Sequence, residues 1–162
     1  MTLRMGMILS MAAIAVFIVF GCGGGGSSAG GGSFLVLPDG GDFVVSGIVL
    51  HFPPGTVAGP VTVFVAPLAP LSTTPLPTEP PTGLTAIAAV QLEPAGLTFV
   101  SPFLPTITLP LTATQTAGAN LTLWVFQSNA WADSGRKAVV SSDGKTAVTQ
   151  VDHFGVYALF VP

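Results

Sequence analysis

Apolar and polar residues alternate with a period of two along most of the chain after residue 33. Successive side chains of a β-strand point to opposite faces, so this period is typical of strands with one buried face. The apolar members are mainly Val, Leu, Ile and Phe, and no window of this part has the 3.6-residue period of a helix. The clearest alternating runs are residues 61–65, 106–111, 121–126 and 154–160.

Turn sequences rich in Gly and Pro separate the alternating runs. The pair Asp143-Gly144 between two apolar runs predicts a hairpin. Several short strands with turns about every 8–12 residues are typical of a β-sandwich or a β-barrel. We therefore predict an all-β fold, a single Greek-key-type β-sandwich that occupies residues 34–162. The other turn sequences lie at residues 38–41, 53–55 and 94–96.

Residues 67–83 contain six prolines and form the longest interruption of the alternating pattern. The composition predicts an extended connection with polyproline character that crosses between the two sheets. A recognition segment that binds an aromatic groove of another protein is the alternative, since Pro-rich segments are recognised in that way.

Residues 1–21 have the pattern of a secretory leader. Arg4 supplies a positive charge, and residues 7–20 form an apolar run in which Ser10 is the one polar residue. A helix of that length covers about 21 Å, which is short for a bilayer core of about 30 Å. The pattern therefore predicts a cleaved signal peptide, and an uncleaved N-terminal membrane helix is the alternative.

The chain's only cysteine follows the apolar run directly, in the sequence Val19-Phe20-Gly21-Cys22. This sequence resembles the bacterial lipobox, in which an aliphatic residue, a small residue, and Gly or Ala precede the cysteine. The resemblance implies that the Cys22 thiol carries a diacylglyceryl group and that the chain is cut before Cys22. Two or three acyl chains anchor a protein stably in a membrane, whereas one alone is marginal.

Residues 22–33 are then the lipidated cysteine and a flexible linker made almost only of Gly and Ser. Such a linker reaches about 18 Å and leaves the orientation of the following domain free. Gly23 stands where aspartate retains enterobacterial lipoproteins in the inner membrane, so the resemblance implies the outer membrane. We expect a lipid-anchored protein of the bacterial cell envelope.

Charged residues make up 7% of the chain, against about 25% in an average soluble protein. Without the leader, seven acidic residues face only three basic ones. No basic stripe is available to neutralise phosphates, which argues against nucleic-acid binding and against attraction to anionic lipids. The three basic residues are Arg136, Lys137 and Lys145.

Three stretches of the alternating region, at residues 49–65, 90–110 and 151–159, resemble one family in their order. The first has an apolar strand, Pro-Pro-Gly and a second strand; the second has Pro-Ala-Gly-Leu-Thr-Phe before a strand; the third has His-Phe-Gly before a strand. The family is the ZU-type β-sandwich domain of zonula occludens proteins, Unc-type netrin receptors and ankyrins. The resemblance covers roughly residues 34–160 and implies a module that binds other proteins.

Some relatives in this family cut themselves at a His-Phe-Ser sequence, where the serine hydroxyl attacks the preceding carbonyl. The matching residues here are His153, Phe154 and Gly155. Because Gly155 has no side chain, the nucleophile is missing and self-cleavage is not expected. We predict that His153 and Phe154 close the core or an edge of the sandwich.

Other catalytic and metal-binding arrangements have weak support in the sequence. A zinc site would need His51 and His153 together with carboxylates from distant loops. Asp39 and Asp42 flank two glycines, but the ordered run of oxygen ligands of a calcium loop is missing. There is no Gly-x-Ser-x-Gly sequence, and Asp152 next to His153 would point to the opposite face of a strand. We predict no catalytic residues, no metal site and no cofactor.

The aromatic residues leave a second binding function open. Trp124, Trp131 and Tyr157 could stack on sugar rings, and Trp131 has polar neighbours that favour a position near the surface. Our preferred prediction is a non-enzymatic, membrane-tethered envelope lipoprotein that acts as a structural or protein-protein interaction module. Its partners would be the membrane, through the lipid on Cys22, and an envelope or extracellular protein. The alternative is a carbohydrate-binding surface module that uses Trp131.

Overall fold

A computed structural model describes residues 30–162, and these form ten β-strands and no helix. The predicted all-β class is therefore confirmed. The leader (1–21) and Cys22 lie outside the described residues. Within the described part, no helix has the length and hydropathy needed to span a bilayer. The strands are β1 (Gly32–Val36), β2 (Gly41–Val45), β3 (Ile48–Phe52), β4 (Val61–Pro67), β5 (Thr85–Glu93), β6 (Thr106–Pro110), β7 (Asn120–Gln127), β8 (Ala130–Val140), β9 (Thr146–Gln150) and β10 (Val156–Val161).

The strands of residues 30–162 belong to one antiparallel sheet in the order β1-β4-β5-β10-β7-β8-β9-β6-β3-β2. Strands β7, β8 and β9 follow one another as hairpins, and β10 returns to pair with β7. Three hairpin-connected strands with a fourth beside the first define a Greek key. The predicted Greek-key connection is thus present, in a continuous sheet that curls into a sandwich-like shape.

The two edges of the sheet approach each other through side chains. Phe34 on β1 stacks on Phe43 on β2, with ring centroids 4.1 Å apart and planes 10° from parallel. The Ser46 hydroxyl, just after β2, donates a hydrogen bond to the carbonyl of Gly30. The sheet is thereby nearly closed around its core. Because β1 already begins at Gly32, the last two residues of the segment assigned to the linker belong to a strand.

Inward-pointing residues from all parts of the sheet form the main core. Phe52, Phe99 and Phe154 are buried there in edge-to-face contact, with Phe154 in the middle. Such aromatic pairs contribute about 0.5–1.5 kcal/mol beyond their burial. The largest fully buried side chains are Tyr157, Phe52, Phe154, Ile48, Leu50, Leu92, Ile107, Leu109, Leu123 and Leu159.

The Pro-rich connection does not cross between sheets, because the strands it joins, β4 and β5, are neighbours that pair through Pro67 and Val90. Instead it covers the outer face of β5, β10 and β7, and we call residues 68–84 the strap. Strand β10 is apolar on both faces, so its outer face needs a cover as well. The resulting second cluster contains Leu68, Ala89, Ala158 and Phe160, with Leu76, Leu84, Ala86, Trp124, Trp131 and Val156 around it.

The turn predicted at Asp143-Gly144 joins β8 to β9 and is confirmed as a hairpin, with Val140 paired to Ala147. The Asp143 carboxylate accepts hydrogen bonds from the Ser141 hydroxyl and from the backbone N–H of Lys145. These bonds lower the pKa of Asp143 and hold the turn in place.

Candidate interaction surface

The outer face of β2, β3, β6, β9 and β8 carries a straight row of β-branched residues. Directly paired positions of an antiparallel sheet point to the same face, so strand register alone assembles this row. The strap lies on the other half of the sheet, and we call this uncovered half-face the open face. Its first row consists of Val44, Val49, Thr108, Val148 and Val139, in order across the five strands.

Three members of this row expose much of their surface. The exposed fractions are 69% for Val44, 49% for Val139 and 38% for Val148. Val139 and Val148 are paired neighbours, and Val44 lies at the other end of the row. Exposed apolar residues grouped on one face are typical of binding surfaces, whereas single ones are ordinary. Strand pairing holds the row on a preformed surface, so its ordering costs little entropy on binding.

A second, polar row runs beside the first and is offset from it by two residues on each strand, toward the end of β2 that carries Asp42. It consists of Asp42, His51, Thr106 and Gln150, paired in register, with Lys137 next on β8. The two charged ends are held by neighbours. His51 Nδ1 lies 2.6 Å from Asp42 Oδ1, and Lys137 Nζ donates to Thr122 Oγ1 at 2.7 Å. The row is therefore acidic at the β2 end and basic at the β8 end.

A shallow depression of about 450 Å³ opens on the basic end of the open face. Its lining comes from β6, β8 and β9, and includes Lys137, Val139 and Val148. The described residues hold no group of three or more His, Cys, Asp or Glu side chains that could bind a metal ion. The open face thus carries an apolar row beside a polar row whose two ends are oppositely charged.

Known proteins give no further guidance to this surface. No protein-family model matches the chain. No curated protein matches it either. The resemblance to the ZU-type domain accordingly stays a prediction.

Asp152 and His153 lie next to each other in space as well as in sequence. His153 Nδ1 is 2.6 Å from Asp152 Oδ1, so the prediction that the two point to opposite faces is wrong. The reason is local: Asp152 lies in a bend, and His153 forms only an isolated bridge with Thr98. Alternation of side chains holds only within a regular strand.

Arg136 completes this cluster from β8. Its Nη2 and Nε donate to Asp152 Oδ2 at 2.9 and 3.3 Å. Partial burial raises the pKa of Asp152, but the bonds from Arg136 and His153 outweigh it and hold that pKa below its usual value. The carboxylate joins β8 to the segment before β10, a structural role.

Tyr157 and Phe154 anchor the same segment from the inside. The Tyr157 hydroxyl donates to the carbonyl of His153 at 2.8 Å, and burial raises the pKa of Tyr157 well above its usual value. Phe154 is fully buried, while the His153 side chain is 35% exposed. Phe154 therefore closes the core as predicted, and His153 lies at its margin. The carbonyl of Gly155 accepts a hydrogen bond from the N–H of Leu92, which ties the segment to β5.

Trp131, the residue proposed for sugar stacking, is half-buried under the strap. Its ring makes edge-to-face contacts with Phe126 and Phe160, at centroid distances of 5.5 and 5.1 Å. Its indole N–H donates to the carbonyl of Thr78 at 3.4 Å. The Pro-rich segment thus docks on an aromatic surface of its own chain. Internal packing accounts for the contacts of Trp131.

Proposed function

We propose that this chain is a non-enzymatic, lipid-anchored module of the bacterial cell envelope that binds a protein partner through the open face. The observation that carries the proposal is the register-aligned row of Val and Thr residues on that face, three of which are exposed. The strap covers the outer face of β5, β10 and β7 and leaves the open face available. The low charge of this surface favours a partner that also presents a largely uncharged surface.

The low charge of the open face supports a protein rather than a nucleic-acid partner. Its two rows contain one basic residue, Lys137, and one carboxylate, Asp42, at opposite ends. Nucleic-acid binding needs several basic residues to displace counterions from phosphates. Protein interfaces instead combine apolar contacts with a few polar ones at the rim, and the two rows supply both kinds of group.

Attachment through Cys22 supports a location at the membrane surface. The lipobox-like sequence would direct the addition of lipid to Cys22, and residues 23–31 separate Cys22 from the first strand. Nine Gly- and Ser-rich residues reach about 17 Å on average. The domain would therefore stay close to the bilayer with its open face free to turn toward a neighbour. The ZU-type resemblance supports the same class of function.

The carbohydrate-binding alternative has less support. It depends on Trp131 as a stacking platform, and that ring already packs between Phe126 and Phe160 beneath the strap. A sugar would have to displace the strap or use only the remaining exposed edge. A protein contact on the open face requires no such rearrangement.

The anchor is tested by metabolic labelling with palmitate. We expect the full-length wild type to incorporate label and to lose residues 1–21, because the Cys22 thiol and the new amine both accept acyl chains. The Cys22→Ala variant should incorporate none and keep its leader. Ser28→Ala is the matched control in the linker and should behave as the wild type. Equal labelling of Cys22→Ala would contradict the anchor.

The open face is tested by photo-cross-linking in intact cells. A photoreactive phenylalanine analogue at position 148 should form an adduct with a protein, because Val148 lies in the exposed row. The same analogue at position 100 is the control, since Val100 is 74% exposed but lies outside the open face. Equal or absent adducts at both positions would argue against the open face as the binding surface.

A further inference from the structure

The two rows of the open face have the arrangement needed to bind a copy of themselves. Strand β6 is the middle strand of the five, with β9 and β8 on one side and β3 and β2 on the other. A two-fold axis parallel to β6, in the plane of contact, would place β8 against β2 and β9 against β3 of the second copy. Contacts of this kind are isologous, so each pairing occurs twice.

We propose that the open face binds the open face of a second copy of this chain, with the two-fold axis along β6. The proposal rests on the proposed function, which makes this face the binding surface. Both copies then keep their strands nearly parallel, which corresponds to the aligned packing of two sheets about 10 Å apart. The product is a four-layered arrangement in which each uncovered half-face covers the other.

The apolar row is self-complementary under this axis. Val139 meets Val44 of the second copy, Val148 meets Val49, and Thr108 meets its own equivalent on the axis. Because register lines these residues up across the strands within each chain, the axis brings each position opposite its counterpart. The two most exposed valines of the row, Val44 and Val139, therefore cover each other.

The polar row is complementary in charge under the same axis. Lys137 lies opposite Asp42 of the second copy, and Gln150 lies opposite His51. Asp42 is oriented by its hydrogen bond to His51, which leaves its remaining lone pairs for a donor. Two Lys137–Asp42 contacts would form at the rim of each pair of chains. Rim charges of this kind set the register and choose between partners.

The area is that of a weak, transient interface. Five strands are about 24 Å wide and the two rows about 14 Å long, so each copy contributes roughly 330 Å². The total of about 650 Å² is below the standard size of a stable interface and fits a short-lived dimer. Anchoring both copies in one membrane raises their effective concentration, which compensates for modest affinity.

The test is a charge exchange between two differently tagged full-length copies, photo-cross-linked in intact membranes through a photoreactive phenylalanine analogue at position 148 and then co-purified in detergent. Wild-type copies should co-purify. Lys137→Glu places Glu against Asp42, and Asp42→Lys places Lys against Lys137, so either variant alone should recover about tenfold less partner. Mixing the two variants restores attraction at both contacts. The mixture and the double variant should therefore both regain co-purification.

A control variant shows whether a change of charge lowers recovery wherever it is made or only on the open face. Glu79→Lys, on the strap, makes the same change of charge away from the open face and should leave recovery unchanged. Recovery that is absent in the wild type, unaffected by the single changes, or not restored in the mixture would overturn the proposal. If palmitate labelling and a cross-link at position 148 persist in that case, only the second copy is wrong as the partner, and the proposed function stands.

Discussion

Replacement of Phe154 by alanine is expected to lower the free energy of unfolding by about 3–5 kcal/mol, as for large buried aromatic residues in general. Phe154 is 1% exposed and packs edge-to-face on Phe52 and Phe99, at centroid distances of 6.2 and 5.0 Å. Both neighbours would lose an aromatic contact. The cavity left by the ring would stay partly open, because backbone hydrogen bonds hold the surrounding strands in place.

The effect of Phe154→Ala is measured by urea denaturation, followed by circular dichroism of the sheet. Phe103→Ala is the control of the same chemical type, because Phe103 is 41% exposed. The control should cost clearly less, since much of its ring already contacts water. Similar losses for the two variants would mean that Phe154 does not occupy the centre of the core.

The Gly40→Ala substitution, which adds a single methyl group, is expected to lower the free energy of unfolding by about 3 kcal/mol or more. Gly40 has a φ of 72° in the turn between β1 and β2, and a left-handed conformation costs other residues about 1–2 kcal/mol. A Cβ at this position would also collide with the carbonyl oxygen of Phe52 and lie 2.8 Å from the carbonyl carbon of Pro53. These are backbone atoms, so no side-chain rotation relieves the contact.

Gly83→Ala separates the two contributions to the cost of Gly40→Ala. Gly83 has a φ of 80°, but no heavy atom lies within 4 Å of the position of its Cβ. It should therefore show only the conformational cost of about 1–2 kcal/mol. Thermal unfolding of both variants gives the comparison. Equal losses at Gly40 and Gly83 would show that the turn moves away from Phe52 at little cost.

The Gly40 turn also matters for the open face. It brings the end of β1 to the start of β2, and the N–H of Gly55 donates to the carbonyl of Pro38 at 2.7 Å. Strand β2 carries Asp42 and Val44, the acidic and most exposed apolar ends of the two rows. A shift of this turn would move both ends relative to β3, so Gly40→Ala should weaken binding together with stability.

Local sequence was sufficient to predict β4, β6, β7, most of β10 and several turns. Alternation marks a strand because side-chain direction changes with every residue, and the residues involved are adjacent in the chain. The same holds for Asp143-Gly144, whose turn depends on conformational preferences within a few residues. Where the local pattern was interrupted, prediction failed: the bend at Asp152 brings its carboxylate to His153, against the alternation rule.

The sequence alone predicted the all-β class, and it alone predicts the lipid anchor, because each is a short-range pattern: an apolar-polar alternation after residue 33, and a leader-like segment (1–21) directly before Cys22. The open face and the place of the strap were decided only by tertiary structure. Residues 44, 49, 108, 139 and 148 are scattered along the chain and become one row only when five strands pair in a particular register. Register depends on which strands become neighbours, and that depends on burial of the whole core rather than on any local segment.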